Sequence, residues 1–444
     1  MQGDKTKLRN LVLYEVYVRN HGPNGTFEDV INDLGRIKAL GVDVIWLMPI
    51  HPIGQENKKG TLGSPYSIKD YRKINPEYGT LKNFQILLDE AHRRDLKIMI
   101  DVVYNHTSHD STLVSEKPEF FHRDILGKPI TTVPAWSDVI DLKYPNQDLQ
   151  SYLIETMLYW VNLGVDGFRC DVASIIPLQF WLEAKARIEE INPDFIWLAE
   201  SVHTAWVIER RQNSLEAQSD AELYRAFDLT YDYDIWPIWQ AAVQGTAPVQ
   251  RYLEMLTFQK GTYPMDFIKM RCVENHDNPR IMAIAPDKTS AQAWTAFTIF
   301  TQGAFLVYAG QESGASHAPS LFDIDKVDWK DYRLQLWLRK LLFMKKRNVF
   351  KSGTQSFLSA EPAIQAVIAD DSSCLYGIFN IYNQETEFPT QLLDGQYIDL
   401  ITDESFSVNN GNVKLHNKSA LIFEVDPNNA YEPMRFSLLE FNIC

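Results

Sequence analysis

Long apolar runs alternate with amphipathic stretches along most of the chain. Leu11–Val18, Val42–Pro49 and Leu96–Tyr104 are apolar nearly throughout, the pattern of parallel strands buried on both faces. Phe27–Leu40 and Leu81–Arg94 lie between them with apolar residues at helical spacing, and Gly41 closes the first at a helix-stop position. The same alternation returns further on. Strand patterns cover Val165–Val172, Phe195–Glu200, Leu223–Tyr231, Phe267–Val273 and Ala304–Tyr308. Helical patterns cover Leu149–Leu163, Phe180–Ile191, Val249–Gln259, Ala291–Thr301 and Tyr332–Lys346. Strand and helix repeated eight times predict a (β/α)8 TIM barrel, an α/β fold. The rival is a doubly wound open sheet, against which no GxGxxG follows the first strand.

Two stretches break the rhythm. His106–Pro145 is polar and irregular, too long for an ordinary connection, and is expected to form a small inserted B domain after strand three, over residues 106–145. From residue 350 to 444, short strand patterns (Ala363–Ala369, Cys374–Tyr382, Gln396–Leu400, Ala420–Val425) separated by Asn, Asp and Gly turns predict a C-terminal all-β domain. The barrel then takes residues 1–105 and 146–349.

The formal net charge of −15 argues against nucleic acid and anionic membrane surfaces, which need basic patches. No apolar run spans a bilayer. Met1-Gln2-Gly3-Asp4-Lys5 lacks the apolar core of a secretion signal, so a full-length chain would be cytoplasmic; a chain trimmed of its signal would look the same. The 12% aromatic content fits a sugar ligand, whose C–H faces pack on rings. Cys170, Cys272, Cys374 and Cys444 are far apart and show no zinc spacing; Cys170 and Cys272 fall in strands and are expected as buried free thiols.

Reacting groups of such a barrel sit at the C-terminal ends of its strands. Strand three ends in Asp101, Asn105 and His106; strand four in Arg169 and Asp171; strand five in Glu200; strand seven in Glu274, Asn275, His276 and Asp277. Residues two apart on a strand point the same way, so Arg169 stands beside Asp171 and is expected to lower its pKa, as suits a nucleophile. Glu200 follows Ile196-Trp197-Leu198-Ala199, where desolvation would raise its pKa and suit a general acid. Asp277 would face the positive charge that develops on a sugar ring. Two carboxylic acids in these roles cleave an acetal with retention.

These motifs resemble glycoside hydrolase family 13, the α-amylase family. Asp101-Val102-Val103-Tyr104-Asn105-His106, Gly167-Phe168-Arg169-Cys170-Asp171, Trp197-Leu198-Ala199-Glu200 and Glu274-Asn275-His276-Asp277 match its four conserved regions. The resemblance implies Asp171 as nucleophile, Glu200 as acid/base and Asp277 as transition-state stabiliser. It implies substrate-binding roles for Tyr66, His106, Arg169, His276 and Asp101, and an α-glucan oligosaccharide or polysaccharide as substrate. Trp136 and Tyr144 in the insert are candidate sugar platforms. No cofactor is required for the chemistry. Asn105 matches a calcium-ligand asparagine and equally fits a structural hydrogen bond, with Asp138 and Asp141 as candidate co-ligands, so a structural calcium stays open. Ser174 and Ile175 stand where many relatives carry Lys-His, which points away from endo-acting starch enzymes and toward shorter maltodextrins. The expected reaction is retaining hydrolysis of α-1,4-glucosidic bonds. The alternatives are a transglycosylase or α-glucosidase of the same family acting on short oligosaccharides.

Overall fold

The computed structural model describes residues 5–385, 387–415 and 418–426. Eight strands close a barrel: β1 (Val12–Val16), β2 (Val44–Leu47), β3 (Lys97–Val102), β4 (Gly167–Cys170), β5 (Ile196–Ala199), β6 (Leu229–Tyr231), β7 (Lys269–Arg271) and β8 (Ala304–Tyr308). Each strand pairs in parallel with its sequence neighbours, and β1 closes on β8 with Val12 opposite Phe305 and Glu15 opposite Tyr308. Apart from the first residue of β3, every strand residue is buried, so the apolar runs are strands covered on both faces.

Helices α1 (Phe27–Ala39), α2 (Leu81–His92), α3 (Gln147–Asn162), α4 (Leu178–Glu189), α5 (Thr204–Gln212), α6 (Trp236–Val243), α7 (Val249–Thr262), α8 (Lys288–Phe300) and α9 (Gln335–Lys345) pack around the sheet. Local signals set their ends. Thr26 and Asp29 form a reciprocal capping box at the start of α1. Past the C-terminal ends of α1 and α3, Gly41 (φ 98°) and Gly164 (φ 107°) take the left-handed conformation that a side chain would resist. The buried faces are aromatic, with Trp46, Trp160, Trp181, Trp197 and Trp294 fully inside. Each burial contributes on the order of 1.5–3 kcal/mol, which outweighs local propensity in holding short strands such as β6.

Several boundaries differ from those expected. Of the stretch expected as a sixth strand, only Leu229–Tyr231 pairs; a one-turn helix, Asp220–Leu223, precedes it and carries its own Ser219/Glu222 capping box. Helices α5 and α6 were not expected: Ile208 on α5 is exposed, and α6 begins Trp236-Pro237, a first-turn proline that reads as a loop in sequence. The insert contains a two-stranded antiparallel sheet, His106–Ser108 with Val139–Asp141, and a short helix, Thr112–Glu116.

The C-terminal sheet has the order β9 (Thr354–Ser359), β10 (Ile364–Ala369), β11 (Cys374–Phe379), β12 (Ala420–Val425). It docks on α8 through Phe379, whose ring lies 5.3 Å from Phe297 and 5.4 Å from Phe300. Cys170, Cys272 and Cys374 are buried free thiols, while Cys444 lies outside the described residues. Among the described residues no helix is long and apolar enough to cross a membrane.

Candidate active site

A pocket of about 250 Å³ opens at the C-terminal end of the barrel. Tyr66, His106, Asp171, Glu200, His276 and Asp277 line it, brought together from the segments that follow β2, β3, β4, β5 and β7. Trp136, Asp138 and Val139 of the insert form one wall.

Arg169 organises the floor. It is fully buried, and its Nη1 donates to Asp101 Oδ1 at 2.9 Å and to Asp171 Oδ1 at 2.8 Å. Its Nε donates to the Tyr231 hydroxyl at 3.1 Å. Its Nη2 lies 2.9 Å from Glu200 Oε2 without hydrogen-bond alignment, so that attraction is Coulombic. The rings of Trp46, Tyr66 and Tyr231 surround the guanidinium at 5.2–5.6 Å. One cation thus serves three carboxylates. Asp101 and Arg169, expected to bind sugar, do not line the pocket and have no exposed surface. They are positioning residues: Asp101 fixes Arg169 and accepts from the Tyr66 hydroxyl at 3.1 Å, and Arg169 fixes the two acids above it.

The two acids sit on adjacent nitrogens of this guanidinium. Glu200 Oε2 also accepts from the Val172 backbone N–H at 2.7 Å. That N–H is aimed by an uncommon backbone: Val172 has φ 38° and ψ 43°, the left-handed region that β-branched residues avoid. Burial pushes the Asp171 carboxyl up to about 6, against the pull of Arg169, and Asp101 adds to the rise. Arg169 pulls the carboxyl down as expected, but burial outweighs it, so the net shift is upward rather than the lowering expected. Burial pushes Glu200 further, to about 7, again against Arg169. Both carboxyls are thus raised by burial against the same cation.

His276 bridges to the first strand. Its Nδ1 contacts Glu15 Oε1 at 2.5 Å, its Nε2 lies 2.7 Å from the Tyr66 hydroxyl, and its ring stacks on Tyr66 at 5.4 Å. Burial alone would depress His276, but Asp277 and Glu15 outweigh it and raise the imidazole to about 9. Asp277, 39% exposed, reaches His276 Nε2 at 3.2 Å, and the side chain of Asn275 holds its backbone N–H at 3.1 Å. His106 is the opposite case: burial lowers it to about 4, so it is a neutral ring, 3.9 Å from Asp171 Oδ2.

Glu15 was not singled out from sequence, yet it is buried against His276. It was legible there as the one charged residue in the apolar run Val12-Leu13-Tyr14-Glu15-Val16. Trp206, on α5, was also missed; its ring meets Trp136 at 5.9 Å, while Trp136 meets His106 at 5.2 Å. Tyr144 is not a sugar platform: its hydroxyl donates to the Tyr104 carbonyl at 2.8 Å and its ring packs on Phe180.

The candidate calcium ligands are partly engaged within the protein, and Asp141 Oδ1 is buried without a hydrogen-bond partner among the described residues. The Asn105 amide faces His106 Nδ1 at 3.2 Å. Asp138 Oδ1 pairs with Lys59 at 2.9 Å, and Asp141 Oδ2 accepts from the Thr132 backbone N–H at 2.7 Å. Among the described residues no group of three or more His, Cys, Asp or Glu is placed to hold a metal ion.

A parallel eight-stranded barrel with buried acids of graded acidity at its mouth is the frame of a glycosidase. Residues 3–124 and 135–333 match the alpha amylase catalytic domain, and residues 363–423 match the bacterial alpha amylase C-terminal domain. The chain belongs to the α-amylase family, glycoside hydrolase family 13. Among solved structures it is similar to an alpha-amylase from Lactobacillus plantarum, with 41% identity, TM-score 0.91, and coverage of 95% of this chain and 100% of that one. A noncanonic maltogenic alpha-amylase from Thermotoga neapolitana shares 31% identity at TM-score 0.83, over 94% of this chain and 99% of that one. Alpha-amylase 3 of Dictyoglomus thermophilum is 26% identical over 73% of this chain and 68% of its own length. The family members it matches include hydrolases and transferases that act on carbohydrate, and this chain is a glycosidase of that kind.

Proposed function

We propose that the protein hydrolyses α-1,4-glucosidic bonds of maltodextrins with retention, through a covalent glycosyl-enzyme intermediate. The supporting observation is the pair Asp171 and Glu200, set on adjacent nitrogens of Arg169 and separated in acidity, about 6 against about 7. Asp171, with its direct hydrogen bond from Arg169, is read as the ionised partner, and Glu200, raised by burial, as the one that keeps its proton. Asp171 attacks the anomeric carbon as Glu200 gives its proton to the leaving glycosidic oxygen. In the second step Glu200 takes a proton from water, the water oxygen bonds to the anomeric carbon, and the bond to Asp171 breaks. Asp277 opposes the positive charge that builds on the ring in both transition states. Tyr66, stacked on His276, presents an aromatic edge to the sugar bound before the cleaved bond.

A short substrate is favoured by the size of the site: Trp136 and the Lys59–Asp138 ion pair line a pocket of about 250 Å³. The similar alpha-amylase from Thermotoga neapolitana is maltogenic, which agrees with this reading. No residue placed at the reacting atoms calls for a metal, and Lys59 supplies the positive charge at Asp138.

Proton NMR of the first sugar released from maltotriose tests the proposal. Retention gives the α-anomer first, with glucose and maltose as main products. A β-anomer first would reject the covalent route, and oligomers longer than the substrate as main products would make the enzyme a transglycosylase.

A further inference from the structure

The chain turns sharply as it leaves β4, and the turn is made by a residue ill suited to it. Val172 stands between Asp171 and a single 3-10 turn, Ala173–Ile175, with φ 38° and ψ 43°. Glycine would adopt that left-handed conformation freely, whereas a β-branched residue keeps it only where its surroundings hold it there. The valine side chain, 7% exposed, packs with Ile175, Val202 and Val207, and Trp136 and Trp206 lie against the same cluster. Val202 follows Glu200 by two residues, Val207 and Trp206 belong to α5, and Trp136 belongs to the insert. Burial of this cluster offsets the strain of the turn.

The held residue has one polar contact with a chemical consequence. Its backbone N–H donates to Glu200 Oε2 at 2.7 Å, and Arg169 Nη2 stands 2.9 Å from the same oxygen. Both contacts are made to Oε2, while the side chain that carries Oε1 lines the pocket. A protonated carboxyl group has one carbonyl oxygen and one hydroxyl oxygen. The carbonyl oxygen is the stronger acceptor, so a donor and a cation at Oε2 leave the hydroxyl hydrogen to the other oxygen.

We propose that Val172 is the positioning residue of the acid/base: its N–H, aimed by the left-handed turn, fixes Oε2 as the proton-free oxygen of Glu200 and assigns the transferable proton to Oε1. This rests on the reading of Glu200 as the acid. In the first step the Oε1–H bond breaks, its hydrogen passes to the leaving glycosidic oxygen, and the electron pair stays on the carboxylate between the Val172 N–H and Arg169. In the second step a water O–H bond breaks and its hydrogen returns to Oε1. Because Trp136 and Trp206 pack on the valine cluster, the insert and α5 hold that proton in place.

Two experiments test the assignment. The first is a crystal structure of Asp171→Asn with maltohexaose bound across the cleaved bond. Glu200 Oε1 should lie within hydrogen-bond distance of the glycosidic oxygen while Oε2 stays on the Val172 N–H; Oε2 turned toward the sugar overturns the proposal. The second replaces Val172 by its α-hydroxy acid, so that an ester oxygen takes the place of the N–H and the side chain is kept. The charged and titratable groups that face Glu200 stay as they are: Asp101 on β3, Arg169 on β4, Asp171 after it, Tyr231 on β6, Tyr233 after it, and Asp277 beyond β7. The lost hydrogen bond favours the ionised acid, so the alkaline limb of kcat/KM should move up by about one pH unit. Maltotriose should be cleaved roughly tenfold more slowly, while maltosyl fluoride, whose leaving group needs no proton, keeps its rate. An unmoved alkaline limb, or equal losses on both substrates, overturns the proposal. Glu200→Gln separates this inference from the reading beneath it. If that variant slows both substrates equally, Glu200 is not the acid; if it slows maltotriose alone while the ester chain matches the parent, only the role of Val172 falls. Should the ester chain fail to fold, the crystal structure decides.

Discussion

At the mouth of the barrel, Arg169 is divided among Asp101, Asp171 and Glu200; on the flank of β6 and β7, Lys269 and Arg271 face Asp220, Asp232 and Asp234. The residue types are the same and the burial is similar, yet the acids behave differently. Burial pushes Asp234 up, but the Lys269 charge and hydrogen bonds from Lys269, Gln259 and Tyr263, at 2.7–2.9 Å, more than offset it and hold the carboxyl below its usual range. Asp171 receives one close hydrogen bond, from Arg169, and burial wins. Asp220, in the same flank, goes the other way: burial and the neighbouring Asp234 charge carry it up despite Lys269 and hydrogen bonds from Lys269 and Ser201. At Asp171 burial outweighs the pull of Arg169, whereas at Asp234 the Lys269 charge with three hydrogen bonds outweighs burial.

The largest test of this contrast is Asp171→Asn. Turnover of maltotriose should fall by roughly 10⁴–10⁶-fold, the range for removing a group that forms a bond in the transition state. The same variant should have a higher Tm than the parent at pH 8, because it removes a buried acid that the site holds against its preference; a lower Tm would refute that account. Next come the two cations. Arg169→Met and Lys269→Met should each lose about 3–5 kcal/mol in urea unfolding, since each strands buried carboxylates. Only Arg169→Met should also lose kcat in the molecules that remain folded; equal losses of kcat would erase the distinction between mouth and flank.

A smaller effect is the pH profile. kcat/KM should rise as Asp171 ionises through about 6 and fall as Glu200 loses its proton through about 7, giving a narrow bell. The stability sign is opposite to the usual carboxylate case. Both acids are raised in the folded state, so their contribution is fully present below about 4, their unfolded range, and is lost as pH rises through about 6 and about 7. Glu200→Gln should flatten that decline in a series of melts from pH 4 to pH 8. The smallest expected effect is that of chelation. EDTA should leave Tm and turnover unchanged, given the Lys59–Asp138 pair; a fall restored by calcium would reject the reading of that corner.

The barrel was legible because parallel strands buried on both faces write themselves as apolar runs, and polar residues at their ends stand out against that background. The identity of the strand end is visible this way, but depth is not. Asp101 and Asp171 end neighbouring strands, and only the register Asp101 opposite Arg169 puts the first beneath the floor and leaves the second at the pocket. Glu15 went unremarked because a single acid in a run carries no spacing signal. Residues 387–389, 395–398, 405–408 and 412–414 form short paired strands, of which only 395–398 overlaps an expected pattern, Gln396–Leu400. Their partly exposed residues lack the apolar contrast on which such patterns depend.

The contact between Glu15 and His276 joins the opening segment of the polypeptide to one 261 positions later. Until the ring of strands is complete, the imidazole has no partner from β1 and Tyr66 has no charged ring to lie on. A growing or clipped chain therefore carries every reactive oxygen without the charge arrangement that makes it useful. Sugar cleavage in this enzyme reports that synthesis has run past β8 and that the two ends of the sheet have met.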